Sequence, residues 1–196
     1  MDAKIGQLQE LLAKLPGIGP RQARRFVYFF LKIPSPMLDQ MFGLIQELRA
    51  SRNICDFCQK IHFVQGPLCE ICSNKNRHQE QVLVVAKNSD LEAIEKSGVW
   101  NGRYFVLGRT LRVLEKNPEQ IINLTPLVTA SQSGSVNEIV FGLPVNPEGE
   151  HTERFVIDAV RDLPVTISRM GRGLSTGSEL EYADPATIKS ALENRK

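Results

Sequence analysis

The sequence predicts a multidomain α+β chain: a helical N-terminal region, a small cysteine-rich module, an α/β domain on a mostly parallel sheet, and a C-terminal helix. Three observations carry this. From residue 1 to about 50, apolar residues recur at helical spacing. All four cysteines fall within an 18-residue window, as Cys55-x2-Cys58 and Cys69-x2-Cys72. From residue 81 onward, short apolar runs alternate with amphipathic stretches, the pattern of parallel strands joined by helices. The boundaries are expected at 1–52, 53–78, 79–172 and 173–196.

The N-terminal region divides into three stripes. Ile5, Leu8, Leu11, Leu12 and Leu15 form the first; Ala23, Phe26, Val27, Phe30 and Leu31 the second; Leu38, Met41, Phe42, Ile45 and Leu48 the third. Breaks fall at Pro16-Gly17, Gly19-Pro20 and Pro34-Ser35-Pro36. Between the first two stripes stands Leu15-Pro-Gly-Ile-Gly-Pro20. Gly17 and Gly19 permit backbone conformations that a Cβ would obstruct, Ile18 can fill the gap between the helices, and Pro20 can open the second. The amides of the turn and helix start then face outward, where a phosphate oxygen can accept their hydrogens. Arg21, Arg24 and Arg25 add positive charge at the same end. The segment resembles a helix-hairpin-helix motif, a sequence-independent binder of the DNA backbone.

The cysteine spacing is that of two knuckles holding one tetrahedral Zn²⁺, about 2.3 Å from each sulfur. With four protein ligands no position is left for water, so the zinc is expected to be structural, one per chain. A disulfide reading needs an oxidising compartment. His62 and His78 are expected to face solvent rather than replace a cysteine. A segment this short buries little core, so the metal is expected to carry its folding.

In the α/β region, Val82–Val85, Tyr104–Leu107, Ile139–Phe141 and Val165–Ser168 read as buried strands. Helical segments are expected at Asp90–Ser97 (capped by Asp90), Pro118–Val128, and Gly149–Leu163 with Phe155, Val156, Ala159, Val160 and Leu163 inward. Ser131–Ser135 reads as a mobile loop and Gly171-Arg172-Gly173 as a turn. Arg169 and Arg172 read as solvated charges or weak DNA contacts. Gly177–Asp184 reads as an edge strand and cap, and a last helix starts at Asp184-Pro185. Trp100 is expected to pack rather than stack on bases.

Composition excludes several classes. The longest apolar run, Phe26–Leu31, has six residues. A membrane helix needs about 20 and a secretory signal about 7–15, so a soluble cytoplasmic protein is expected. Net charge is +2, but residues 1–80 hold 11 Lys/Arg against 7 Asp/Glu, and residues 81–196 hold 13 against 15. The basic front suits nucleic-acid contact from the N-terminal part. No Gly-x4-Gly-Lys-Ser/Thr loop is present, so ATP hydrolysis has no candidate.

The order of modules resembles the RecR family of recombination mediator proteins, along nearly the whole chain. The most specific pieces are Leu15–Pro20, the four cysteines continuing as Cys72-Ser73-Asn74, Gly102-Arg103-Tyr104, and Gly177–Asp184. The resemblance implies that the α/β domain is of the Toprim type. It implies a role in recombinational DNA repair at the bacterial nucleoid, with RecO and in many bacteria RecF, helping to load RecA at gapped or single-stranded DNA. It also implies homo-oligomers, ring tetramers or dimers, and DNA contact by Arg21 and Arg25. Catalytic Toprim sites pair a glutamate at the end of the first strand with an Asp-x-Asp pair that holds Mg²⁺. Here Ala86 and Lys87 follow that strand, and only Glu148 and Glu150 remain of the second cluster. Those two acids read as helix N-terminal charges, as metal ligands, or as a contact for RecO. A non-enzymatic mediator is therefore expected. The alternatives are a zinc-stabilised interaction scaffold and a metal-dependent Toprim nuclease.

Overall fold

Proline has no N–H to give a helix and a fixed φ, so it is best placed in a first helical turn. Prolines open several of the helices here. The computed structural model describes residues 3–171, 173, 174, 177 and 179–194. The chain divides into two units between Arg52 and Asn53.

The first unit holds α1 (Ala3–Leu12), α2 (Pro20–Phe30) and α3 (Ser35–Ser51). The breaks between them fall at the expected Pro-Gly and Pro-Ser-Pro segments. α1 and α2 pack on each other, and Gln9 Nε2 reaches the carbonyl of Pro20 at 3.4 Å. Among the described residues of this unit only Ala23 and Val27 are buried. Leu11, Leu15, Phe29, Phe42, Ile45 and Leu48 are all about half exposed. The stripes are helical as read, but the third covers little of itself.

The second unit begins with a short antiparallel ribbon, β1 (Asn53–Ile54) with β2 (Ile61–His62). A four-stranded sheet follows, from β3 (His78–Val85), β4 (Gly102–Val106), β5 (Glu138–Gly142) and β6 (Thr166–Arg169). Its order is β4-β3-β5-β6, and all pairings are parallel. Val82–Val85 run beside Arg103–Val106 on one side and Ile139–Gly142 on the other. Among the described residues this unit holds four helices: α4 (Asn88–Ser97), α5 (Thr125–Gln132), α6 (Pro147–Val160) and α7 (Pro185–Glu193). The connection from β4 through α5 to β5 crosses β3. The switch point of the sheet therefore lies at the carboxyl ends of β3 and β5, where open α/β sheets form their crevice.

Side chains alternate across the sheet with period two. Val82, Val84, Phe105, Ile139 and Phe141 pack with Leu111, Leu127, Val156 and Val160. Leu83, Val85, Tyr104 and Val106 pack in a second cluster, with Leu91 of α4 and all four cysteines. Each such side chain is worth about 1.5–3 kcal/mol of transfer free energy. The cysteine module thus shares a core with the sheet.

Several local expectations change. Lys87, not Asp90, is the N-cap of α4, while the Asp90 carboxylate accepts the Lys87 N–H at 2.9 Å. The stretch Pro118–Val128 is broken, with a 3₁₀ turn at Pro118–Gln120 and α5 starting at Thr125. Pro126 dictates this, because it fits only the first turn of a helix. Ser131–Ser135 is no mobile loop: Ser131 lies buried in α5, and its hydroxyl donates to the Leu127 carbonyl at 2.9 Å. The helix then closes on Gly134, φ +72°. Ala159 faces solvent rather than the core. Leu180–Tyr182 forms a 3₁₀ turn instead of an edge strand, though Asp184 does cap α7, accepting the Thr187 N–H at 3.0 Å. Arg169 is solvent-exposed as read, and pairs with Glu153 at 2.5 Å. Arg172 and Ser178, in the segments read as a turn and an edge strand, lie outside the described residues.

Candidate metal centre and nucleic-acid interface

A two-residue spacer between cysteines lets the chain fold back on itself. Gln59 N donates to Cys55 O at 3.0 Å, with Gln59 in the left-handed region at φ 60°. Ser73 N donates to Cys69 O at 3.0 Å in the second knuckle. Asp56 N donates to Pro67 O at 2.8 Å and so joins the two. The sulfurs of Cys55, Cys58, Cys69 and Cys72 are all buried, within 4.8 Å of one another. Cys58 and Cys69 Sγ stand 3.5 Å apart, and Cys69 N donates to Cys55 Sγ at 3.4 Å.

A tetrahedral ion with 2.3 Å bonds to sulfur sets its ligands about 3.8 Å apart. The cluster therefore fits a divalent ion of that preference. Its protonation points the same way. Hydrogen bonds among the sulfurs push the Cys58 and Cys72 thiols up and pull Cys55 down. Hydrogen bonding with Cys55, Cys58 and Cys72 leaves Cys69 at about 6. Four buried sulfurs this close cannot all ionise by themselves, and a cation that displaces the last protons into solvent relieves the conflict.

The surroundings fix the knuckles. Lys60, next to the first, pairs with Glu70 of the second. Burial opposes the Lys60 charge, but Glu70 and the nearby sulfurs outweigh it and raise its pKa. Burial likewise opposes the Glu70 charge, yet Lys60 holds its carboxyl below the usual range. Phe57, inside the first knuckle, meets the edge of Phe105 with centroids 6.4 Å apart. Val106 N donates to Cys58 O at 2.8 Å, so the knuckle continues the hydrogen bonding of β4. His62 is not solvent-facing as expected: it is 2% exposed, and neither ring nitrogen has a hydrogen-bond partner. It stands outside the sulfur cluster. His78 is exposed as read.

At the hairpin, Gly17 has φ +76°, a conformation that a side chain resists. Gly19 is extended, and a Cβ added there would meet nothing within 4 Å, so the chain itself does not require glycine at this position. Ile18 is half-buried. Arg21, Arg24 and Arg25 lie exposed in the first half of α2. Among the described residues none of the three forms an ion pair. The Arg24 guanidinium lies over the Tyr28 ring at 5.9 Å.

Glu148 and Glu150 occupy the first turn of α6, where the helix dipole favours negative charge. Asn146 caps that helix, its Oδ1 accepting Gly149 N at 2.8 Å. Glu148 accepts a hydrogen bond from Thr110 Oγ1 at 3.3 Å. Ala86, following β3, is buried. Sequence reasoning missed the threonine that anchors this region. The hydroxyl of Thr152 accepts Leu111 N at 2.8 Å and donates to Glu148 O. Its only sequence signal is a small polar residue on the inward stripe of α6. No helix among the described residues is long and apolar enough to cross a membrane.

The parallel sheet, its four-cysteine cluster and the preceding helices define a mixed α+β protein built on a Toprim domain. The family model described as Toprim domain matches residues 80–171, and that described as RecR, C-terminal, matches residues 173–196. The chain is 39% identical over 185 residues to recombination protein RecR of Flavobacterium psychrophilum, covering 94% of this chain and 88% of that one. It is 36% identical over 197 residues to recombination protein RecR of Roseiflexus sp., covering 100% and 95%. With recombination protein RecR of Rippkaea orientalis the identity is 34% over 194 residues, covering 98% and 96%. The chain belongs to the RecR family of recombination proteins.

Proposed function

We propose that this protein is a non-enzymatic DNA-binding recombination mediator that acts with RecO, and with RecF where present, to help load RecA at gapped or single-stranded DNA. The observation that carries the DNA contact is the head of α2. Three exposed arginines, with no carboxylate partner among the described residues, follow a turn whose Gly17 is left-handed and whose Gly19 leaves the backbone uncovered. Gly17 and Gly19 present amides, Ile18 closes the turn with its N–H on the Leu15 carbonyl at 3.1 Å, and Arg21, Arg24 and Arg25 supply the charge for phosphate oxygens. Such binding is sequence-independent and falls steeply with salt.

In this reading Cys55, Cys58, Cys69 and Cys72 hold one structural Zn²⁺. Ala86 removes the first carboxylate of a Toprim metal site, so the α/β domain serves assembly and partner binding. Glu148 and Glu150 are exposed there for RecO. The uncovered apolar residues of the first unit support self-association into a dimer or ring tetramer.

Fluorescence anisotropy on a gapped duplex across a salt series tests the reading. Wild type should bind with a steep salt slope, and Arg21→Ala/Arg25→Ala should lose both affinity and slope. Equal binding by both proteins would refute the hairpin contact and favour the interaction scaffold. Turnover of DNA with Mg²⁺ or Mn²⁺ that Glu148→Gln/Glu150→Gln abolishes would instead establish a nuclease.

A further inference from the structure

We propose that Arg103 is the counter-charge of the metal centre, its guanidinium offsetting the surplus negative charge of four thiolates around one Zn²⁺ while it clamps the first knuckle to the sheet. This rests on the zinc reading above.

Arg103 lies on β4, and its guanidinium carbon sits 3.9 Å from the centroid of the Phe57 ring. Phe57 is one of the residues between Cys55 and Cys58, so the cation stacks directly on the metal-binding loop. Its remaining contacts do not neutralise it. Arg103 Nη2 donates to the Ser135 carbonyl at 3.3 Å, and its Nε is buried with no hydrogen-bond partner. Among the described residues it forms no ion pair. Burial works against its charge, and the groups favouring that charge are Cys72 and Cys58, then Glu80 and Cys55. The other cation at the cluster, Lys60, is already matched by Glu70.

Four thiolates and one Zn²⁺ leave a net charge of −2 among buried groups. A buried charge is costly unless a partner compensates it. Residues just outside the ligands commonly supply that compensation. An arginine suits this place because its flat cation can stack on a ring and still direct its charge past it. Arg103 is therefore a positioning and charge-balancing residue for the loaded site.

The test uses the full chain. Zinc affinity is measured by chelator competition. Arg103→Met keeps an apolar stem against Phe57 but removes the charge. It should bind zinc about 10–100-fold more weakly. Arg103→Lys, which keeps the charge, should bind zinc more tightly than Arg103→Met, whereas a residue needed only for packing would gain nothing from the charge. Cobalt substitution should give the tetrahedral thiolate spectrum in wild type and variant. Should Arg103→Met fail to fold, Arg103→Lys serves instead; it retains the charge and should lose less than the about tenfold that marks removal of an outer group. Unchanged zinc affinity in Arg103→Met, or a tenfold loss in Arg103→Lys, overturns the proposal. A wild-type chain that takes up no zinc overturns the metal reading, and this inference with it.

Discussion

Replacing Gly149 by alanine adds one methyl group at the head of α6, where the structure has no room for it. The new Cβ would stand 1.9 Å from the Pro144 carbonyl oxygen, 2.9 Å from its carbon and 3.3 Å from Asn146 Oδ1. The two closest atoms are backbone, so either the loop after β5 or the helix must retreat by more than about 1 Å to restore ordinary contact. The loop is held by Asn146 capping α6, and the helix by Thr152 bonding to Leu111 N. In an open helix the same change gains about 1 kcal/mol. Here overpacking costs about 1–3 kcal/mol, and loosening the Asn146 cap adds about 1 kcal/mol. The net expectation is a loss of about 1–3 kcal/mol, or a Tm lower by about 3–10 °C for a unit of this size. Trp100 is the only tryptophan and packs beside the sheet, its Nε1 donating to Arg103 O, so its fluorescence follows unfolding of this unit. Gly43→Ala in α3, with nothing within 4 Å of the added carbon, should shift stability slightly upward by circular dichroism. A Gly149→Ala protein that unfolds in urea at the wild-type midpoint would refute the packing argument.

Three further outcomes follow from the same geometry. Thr152→Val keeps shape but strands the buried Leu111 amide, and should cost about 1–3 kcal/mol in urea unfolding. Glu70 has a depressed pKa, so its stabilising effect is present above the unfolded carboxylate value and lost as pH falls through the folded one. Lys60, raised, contributes below its unfolded value and loses that contribution as pH climbs past the folded one. The window thus runs from about pH 5 to 10. Because Glu70 is half exposed, Glu70→Gln should remove only about 0.5 kcal/mol at pH 7 and almost nothing at pH 3. Chelation of a bound metal should speed hydrogen exchange at the Val106 amide together with the knuckles, since Cys58 O is its acceptor; exchange confined to the knuckles would contradict the shared core.

Much of this was legible in the sequence wherever one local rule acted alone. The four strands came from short apolar runs, and β3 and β4, covered on both faces, need no polar alternation; β6, read as buried too, has none of its four residues fully buried. The helix breaks in the first unit came from Pro and Gly, and the cysteine cluster from its spacing. What stayed hidden depended on partners distant in sequence. Polar Ser131 pointed to a loop, yet its hydroxyl finds the Leu127 carbonyl and lets it lie inside a helix. His62 looked like a solvent-facing residue of a small loop, yet it is buried while Ile61, Phe63 and Val64 beside it are exposed, a difference its own residues do not signal. Phe57 and Arg103 lie 46 positions apart by their numbers, so their stacking has no periodic signature. The cap of α4 moved to Lys87 because Asp90 acts from the third helical position instead, reaching back to the Lys87 amide.

The position of the cysteine module also has a reason in the sheet. A four-stranded parallel sheet has two edges, each a row of backbone groups open to pairing with another chain. At the β4 edge the carbonyl of Cys58 takes the outward amide of Val106, while Leu107 N turns the other way to Val85 O. The cysteines bury their own side chains against Leu83, Val85, Tyr104 and Val106 in the same contact. A free-standing module would need the metal alone to hold it. Docked on the edge, it gains apolar burial that its length could not supply, and the sheet gains a cover that its topology could not. Because Cys58 is both a cluster sulfur and the acceptor for Val106, disturbing the sulfurs disturbs the edge. The energies of the metal site and of β4 are therefore not separable, and substitutions in either should be non-additive with those in the other.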